Sequence, residues 1–214
     1  MNRYLCTLAD VKQQIKTTLT TDDAIILDSI EDASGRINDL FRVPFEPWHS
    51  TRYFDATHNP VSYNGRVLTL TYPLLAATTV TLGDGTALAG TDYQLSPRDE
   101  TPATEVIITS DYYSWYRIDN ANHPLNAIAI AGVWGQRSQY ANAWASVTTL
   151  SAAIVSTSAA SATVTSAAAI SPGALIRVDD EYMRVTAVST NTLTLERGAN
   201  GTTAATHLIT ATVY

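Results

Sequence analysis

The N-terminal region has the hydrophobic spacing of two amphipathic helices. Thr7 followed by Asp10 has the pattern of a helix N-cap with an acidic residue at the third helical position, and it predicts a short helix at about residues 7–17. A second cap at residues 20–23 precedes apolar residues at three- and four-residue intervals, which predict a longer helix over residues 21–42. Its apolar stripe consists of Ile25, Ile26, Ile30, Ala33, Ile37, Leu40 and Phe41.

The stripe on the second helix is wide enough for two contacts. In one interpretation it simply covers the β-structure of its own chain. In the other, one face packs on that body and another face packs on a neighbouring subunit. Head-to-tail contacts of this kind close a ring when the rotation per subunit divides the circle. The candidate subunit-interface residues are Ile26, Ile30, Ile37, Leu40 and Phe41.

Pro44 and Pro47 end the helical region, and the pattern then changes to the alternating, β-branched runs that are typical of strands. The predicted strands of this region lie at residues 52–56, 66–71, 75–82, 92–95, 105–109 and 127–133. We expect them to form an antiparallel β region that packs with the two helices in one domain over residues 1–135.

The composition shifts after residue 135. Residues 136–170 are rich in Ala, Ser and Thr and carry almost no charge, which indicates a connecting segment, although spaced apolar residues argue against full disorder. Residues 171–214 have the pattern of a small β module, with predicted strands at 175–178, 181–188, 191–196 and 210–214. The sequence therefore predicts an α+β protein: an N-terminal helical pair packed on an antiparallel β region, followed by a small all-β module.

Charge argues against a protein that binds nucleic acid specifically. The chain of 214 residues has a net charge of −7 and only 15% charged residues. An acidic surface repels the phosphate backbone, so DNA could pass it without binding. The N-terminus lacks the apolar run of a signal peptide, and no stretch reaches the ~20 apolar residues of a membrane span. We expect a protein that is made in the cytoplasm and has no membrane partner.

The sequence contains no recognisable catalytic motif, so we predict that the protein is not an enzyme. Asp179, Asp180 and Glu181 form an acidic triplet, and His207 lies in the same module. Their spacing differs from that of a calcium-binding loop, and we interpret the triplet as a solvated turn. We therefore expect no catalytic residues, no metal site and no cofactor.

Aromatic residues between the predicted strands are candidates for docking a partner, because Tyr, Trp and Arg are enriched at interfaces. An equally good interpretation is a loop that folds back on its own sheet. Exposed aromatics would also suit a carbohydrate-binding module. The candidate docking residues are Tyr112, Tyr113, Trp115, Tyr116 and Trp134.

The first 135 residues contain several short stretches in a characteristic order. They are YLCTLADV at 4–11, TDDA at 21–24, IEDAS at 30–34, RYFD at 52–55, GDGT at 83–86 with DY at 92–93, and GVWG at 132–135. Taken in this order, they resemble the head–tail connector (adaptor) proteins of tailed bacteriophages. The order of these stretches carries the resemblance, because each one alone is a weak signal.

Residues 171–207 are similar to a small β module that recurs in phage virion proteins. The matching positions are Gly173, IRV at 176–178, DEYM at 180–183, NTLT at 191–194, RG at 197–198, NGTT at 200–203 and His207.

The resemblance implies a structural protein of the virion neck. Such connectors form a ring, usually of twelve copies, that joins the portal of the capsid to the tail and continues the channel through which double-stranded DNA passes. The partners it implies are further copies of the chain, the portal protein, and a tail-completion, stopper or tail-tube protein. The alternative is a virion decoration or carbohydrate-binding β module.

Overall fold

The computed structural model describes residues 4–58, 60–119, 123–137, 140 and 144–214. The fold is α+β, as predicted: two N-terminal helices, a five-stranded antiparallel sheet, and a six-stranded antiparallel sheet that curls into a half-barrel. Contacts divide the chain into two compact units, one formed by Val43–Tyr140 and the other by Met1–Arg42 together with Ala141–Tyr214. This grouping differs from the predicted domain boundaries, because it places the helices in one unit with the C-terminal module.

Helix α1 spans Leu8–Gln14 and begins with the predicted cap. The Thr7 hydroxyl accepts a hydrogen bond from the Asp10 amide at 3.2 Å, and the Asp10 carboxylate accepts one from the Thr7 amide at 2.8 Å. The helix is shorter than predicted, and Lys16 just beyond it has a φ of 54°. Helix α2 spans Asp23–Phe41, and Arg42 ends it in the left-handed conformation.

The buried face of α2 is centred on polar residues. Ile30, Ser34 and Asn38 are its buried residues, and they share one face because they are four residues apart. The Ser34 hydroxyl accepts a hydrogen bond from the Leu5 amide at 3.0 Å. Lys12 of α1 lies 2.7 Å from Asp23 of α2, which joins the two helices.

The start of α1 is joined to the C-terminal module by two hydrogen bonds. The Leu8 amide donates to the Pro172 carbonyl at 3.1 Å, and the Ala9 amide donates to the Ser171 hydroxyl at 3.2 Å. These are two of the four amides that a helix N-terminus leaves without an intrahelical partner. The cap of α1 is therefore completed by a segment that is distant in sequence, since Ser171 follows Ala9 by 162 residues.

The five-stranded sheet has the order β1-β5-β2-β4-β3. Its strands are β1 Trp48–Phe54, β2 Val67–Thr81, β3 Tyr93–Ser96, β4 Ala103–Ile108 and β5 Ile128–Trp134. Strand β2 is a single strand of 15 residues where the sequence predicted two. Shifts of register near Leu74 let its first half pair with β4 and its second half pair with β5.

The six-stranded sheet has the order β6-β11-β8-β9-β10-β7. Its strands are β6 Thr148–Thr149, β7 Ser161–Thr163, β8 Leu175–Val178, β9 Glu181–Ser189, β10 Thr192–Glu196 and β11 Thr212–Val213. A bridge between Leu150 and Val164 joins the two ends of the curled sheet. Part of the predicted connecting segment thus belongs to the module, because Leu150, Ile154 and Val164 are buried in its core.

Among the described residues, no helix is both long enough and apolar enough to cross a membrane.

Candidate functional sites

The C-terminal module contains a buried network of charged side chains centred on Glu181. The Glu181 side chain is 0% exposed, and that of Arg197 is 7% exposed. Arg197 Nε donates to Glu181 Oε1 at 2.7 Å, and Arg197 Nη2 donates to Glu181 Oε2 at 2.8 Å. The Gly198 and Ala205 amides donate to the same carboxylate at 2.9 and 2.8 Å. This bidentate ion pair has the geometry that makes Arg–carboxylate contacts strong.

These contacts change the acidity of Glu181. Burial raises the pKa of this carboxyl, but the hydrogen bonds from Arg197, the Ala205 amide, His207 and the Gly198 amide outweigh burial and lower the pKa from 4.5 to about 2. Glu181 is therefore ionised at neutral pH, and its charge is balanced by Arg197.

Arg197 also joins two segments of backbone. Its Nη1 donates to the Ala159 carbonyl at 2.9 Å and to the Ser156 carbonyl at 3.3 Å, and its Nη2 donates to the Ala205 carbonyl at 2.5 Å. The guanidinium uses its fork of donors to fix the loop before β7 and the segment after β10 at the same time as it pairs with Glu181.

His207 lies between two carboxylates. Its Nε2 is 2.9 Å from Glu181 Oε2, and its Nδ1 is 2.8 Å from Asp179 Oδ2. The imidazole is 1% exposed, whereas the Asp179 side chain is 64% exposed. Both ring nitrogens are engaged by carboxylates in a buried position, so this arrangement holds chain segments together and offers neither nitrogen to a substrate.

The residues after β10 have the backbone geometry that this network needs. Gly198, Asn200 and Gly201 have φ angles of 61°, 51° and 81°, a region that glycine and asparagine adopt most readily. The Thr202 hydroxyl then accepts a hydrogen bond from the Tyr182 amide at 3.0 Å. Glu181, Arg197 and His207, although distant in sequence, therefore belong to one hydrogen-bonded network that holds the segments of this module together.

This geometry corrects the interpretation of the acidic triplet. Asp180 is exposed, as a solvated turn requires, but Glu181 points into the module and is paired. No group of three or more His, Cys, Asp or Glu side chains suited to a metal ion occurs in the part of the chain that the structure describes.

The candidate interface on α2 is only partly accessible. Ile30 is 5% exposed and belongs to the buried face, so the structure removes it from the candidate interface. Ile26 is half-buried. We define the α2 flank as the exposed apolar residues beside that face near the end of the helix: Ile37, Leu40 and Phe41, which are 39%, 77% and 58% exposed. Ile25 is 66% exposed, but the helical repeat places it on the opposite side of the helix from Ser34.

The candidate docking aromatics divide into core and surface. Trp115 and Trp134 are both 0% exposed, and each indole N–H donates to a backbone carbonyl, that of Arg66 at 3.0 Å and that of Ser50 at 2.9 Å. The structure therefore removes both Trp residues from the candidate docking surface, because they fill the core of the five-stranded sheet. For Trp115 the alternative of a loop that folds back on its sheet is the observed one, whereas Trp134 is the last residue of β5.

The tyrosines of this cluster lie nearer the surface. Tyr112 is 75% exposed, and Tyr113 and Tyr116 are half-buried. The Arg117 guanidinium lies 5.5 Å from the Tyr112 ring and 5.7 Å from the Tyr113 ring, within the range of a cation–π contact. These residues can contact a partner while they keep the local fold.

Sequence reasoning missed one member of the exposed aromatic surface. Tyr63 is 90% exposed, and its ring stacks on His58 with an interplanar angle of 8° and a centroid distance of 5.5 Å. The Tyr116 hydroxyl is 2.6 Å from His58 Nδ1. Tyr63 lies in a turn ahead of a predicted strand, and nothing in its local pattern distinguishes it from a core residue.

No protein-family model, no curated protein and no solved structure matches this chain.

Proposed function

We propose that this chain is a structural protein of the bacteriophage neck. In this proposal, copies of the chain form a ring between the portal and the tail, and the ring continues the DNA channel. The proposal is supported by the ordered resemblance to head–tail connectors and by one structural observation, the exposed α2 flank. By resemblance we propose twelve copies, with the portal protein on one side and a tail-completion, stopper or tail-tube protein on the other.

The α2 flank supports self-assembly because it leaves large apolar side chains in water. Leu40 is 77% exposed and Phe41 is 58% exposed, although both belong to a helix that already packs through its buried face. Fully burying a Leu or Ile side chain is worth about 1.5–3 kcal/mol, so a neighbouring subunit that covered this flank would gain several kcal/mol. A single exposed Leu is common on protein surfaces, whereas the exposed side chains of the α2 flank lie together at one end of a helix.

The rest of the α2 surface suits a channel for DNA. Its exposed acidic residues include Asp28, Asp32 and Asp39, and the whole chain carries a net charge of −7. Negative charge facing a duplex weakens phosphate binding and would let DNA move past the protein.

The α2 flank can be tested by replacing Leu40 and Ile37 with Asp and measuring the oligomeric state by analytical ultracentrifugation. We expect the wild-type protein to form a large ring and Leu40→Asp/Ile37→Asp to remain monomeric with an unchanged circular dichroism spectrum. Asp28→Asn, on the exposed polar side of the same helix, is the matched control and should assemble normally. A folded double variant that still forms the wild-type ring would exclude the α2 flank as the subunit interface.

Electron microscopy of the purified wild-type protein tests the ring itself. Closed rings with a central channel support the proposal, whereas a protein that stays monomeric at high concentration, with or without the substitutions, contradicts it. Ile30→Asp is not a suitable variant, because Ile30 is buried within its own unit and its replacement would unfold the helix.

A second function is favoured by the exposed tyrosines. Tyr63 and Tyr112 present large aromatic surface to solvent, which suits a decoration or carbohydrate-binding protein of the virion exterior. Binding to a glycan array that is lost in Tyr112→Ala, together with a position on the capsid exterior, would support this function over the neck protein. The test uses Tyr112 because Trp115 is buried.

A further inference from the structure

The contact between His207 and Asp179 fastens two parts of the C-terminal module. Asp179 lies in the turn between β8 and β9, where its φ is 51°, and His207 lies in the segment that leads to β11. This segment contains Leu208 and Ile209, which are 80% and 55% exposed, and Thr210, which has a φ of 70°. The turn that contains Asp179 and this segment line an open groove of about 330 Å³, whose lining consists of Asp179, Thr206 and residues 208–212.

The two contacts of His207 require two ring protons. An ionised carboxylate only accepts hydrogen bonds, and each ring nitrogen lies within 2.9 Å of a carboxylate oxygen. A neutral imidazole has one N–H and one lone pair, so it can satisfy one carboxylate and must repel the other. The two distances therefore fit a ring that carries a proton on each nitrogen.

The two carboxylates respond differently when the ring loses a proton. Glu181 is held in place by Arg197 and by the Gly198 and Ala205 amides, so it cannot move away from Nε2. The Asp179 side chain is 64% exposed and can turn into water, where its charge is solvated. The neutral ring will consequently keep its proton on Nε2 and lose the contact at Nδ1.

We propose that His207 is a pH-operated clasp on residues 206–212. With two protons the ring holds both Glu181 and the Asp179 turn, and with one proton it holds Glu181 alone and releases the turn. The charged groups around the ring are Asp179 from the β8–β9 turn and Glu181 from β9, with Arg197 behind Glu181 and Asp180 exposed in the same turn. The clasp does not depend on whether the chain forms rings.

Released residues should exchange their amide hydrogens faster. The Thr210 amide donates to the Leu150 carbonyl at 2.9 Å, and the His207 amide donates to the Ile154 carbonyl at 2.9 Å, so both amides report on this segment. Loss of the hydrogen bond between His207 and Asp179 should raise the hydrogen-exchange rates of these two amides by roughly tenfold, after correction for the intrinsic pH dependence of exchange.

The test follows the full chain from about pH 5 to about pH 8, the range in which imidazoles titrate. Nitrogen-15 NMR of the ring, assigned by comparison with His207→Gln, should show two N–H groups at low pH and a single Nε2–H at high pH. Hydrogen exchange by mass spectrometry should show the loss of protection in residues 206–212 over the same range.

Asp179→Asn is the matched control. An Asn side chain can accept from Nδ1–H when the ring is charged and can donate its amide to the Nδ1 lone pair when the ring is neutral. We therefore expect residues 206–212 of this variant to stay protected at both ends of the pH range. The proposal is overturned by a wild-type ring that carries the same protons throughout, by protection that does not follow the ring, or by an Asp179→Asn variant with the wild-type pH dependence.

Discussion

Acid should destabilise the C-terminal module through Glu181. The folded pKa of this carboxyl is about 2, below its ordinary value of 4.5, because hydrogen bonds from Arg197 and its neighbours outweigh burial. A group whose pKa is lowered by folding stabilises the native state fully above the unfolded pKa, and this stabilisation is lost as the pH falls towards the folded pKa. The loss should therefore occur between about pH 4.5 and about pH 2.

The size of this effect follows from the two pKa values. The gap between 4.5 and about 2 corresponds to about 3 kcal/mol, at about 1.4 kcal/mol for each pH unit. About 2 kcal/mol of this should be gone at about pH 3. The Glu181 side chain is 0% exposed, so solvent does little to screen the interactions that cause the shift.

Urea unfolding measures the effect when it is followed by circular dichroism at several pH values between about 7 and about 2.5. Glu181→Gln is the control, because it keeps the shape of the side chain but has no titrating group. The other acidic residues affect both proteins, so the quantity of interest is the difference between their curves. If the two free energies of unfolding change in parallel with pH, the ionisation of Glu181 does not stabilise the fold and the reasoning fails.

Three further predictions concern stability. Arg197→Met should cost about 3–5 kcal/mol in urea unfolding, because it leaves the buried Glu181 carboxylate without its charge partner, and the added Glu181→Gln change should recover part of this; additive losses would contradict a coupled pair. Gly132→Ala should cost roughly 2–4 kcal/mol in a thermal melt, since its Cβ would overlap the Ala76 carbonyl oxygen between β2 and β5, whereas Gly90→Ala has open space and should be nearly neutral. Trp115→Phe should cost about 1–3 kcal/mol in the same melt, because the indole hydrogen bond to the Arg66 carbonyl is lost; an unchanged melting temperature would show that this bond adds nothing.

Local patterns in the sequence were sufficient for most elements of the fold. The Thr7 cap, the α2 repeat and the strands β8, β9 and β10 depend on residues that are neighbours in the chain, and the structure has all of them close to the predicted positions. The two predicted strands at 66–71 and 75–82 are one strand because register shifts carry the backbone past Pro73 without a turn.

Contacts between distant residues were not predictable from one sequence. Glu181 looked like part of a solvated turn because its buried partners, Arg197 and His207, follow it by 16 and 26 residues. Ile30 and Trp115 are both interface candidates and core candidates in the sequence, because an apolar residue on a stripe or in a loop does not reveal which of its sides the protein covers. The hydrophobic pattern shows which residues tend to be buried, but only the tertiary fold shows which surface buries them.

The discontinuous unit has a consequence for the order in which the protein folds during synthesis. The Leu8 and Ala9 amides find their partners at Pro172 and Ser171, which the ribosome adds more than a hundred and sixty residues later (162 for Ala9 and Ser171). At about 5–20 residues per second this is a delay of roughly 10–30 seconds. The Val43–Tyr140 unit is synthesised before those partners exist. We therefore expect the nascent chain to form the five-stranded sheet while the N-terminal helices still lack the residues that complete their unit.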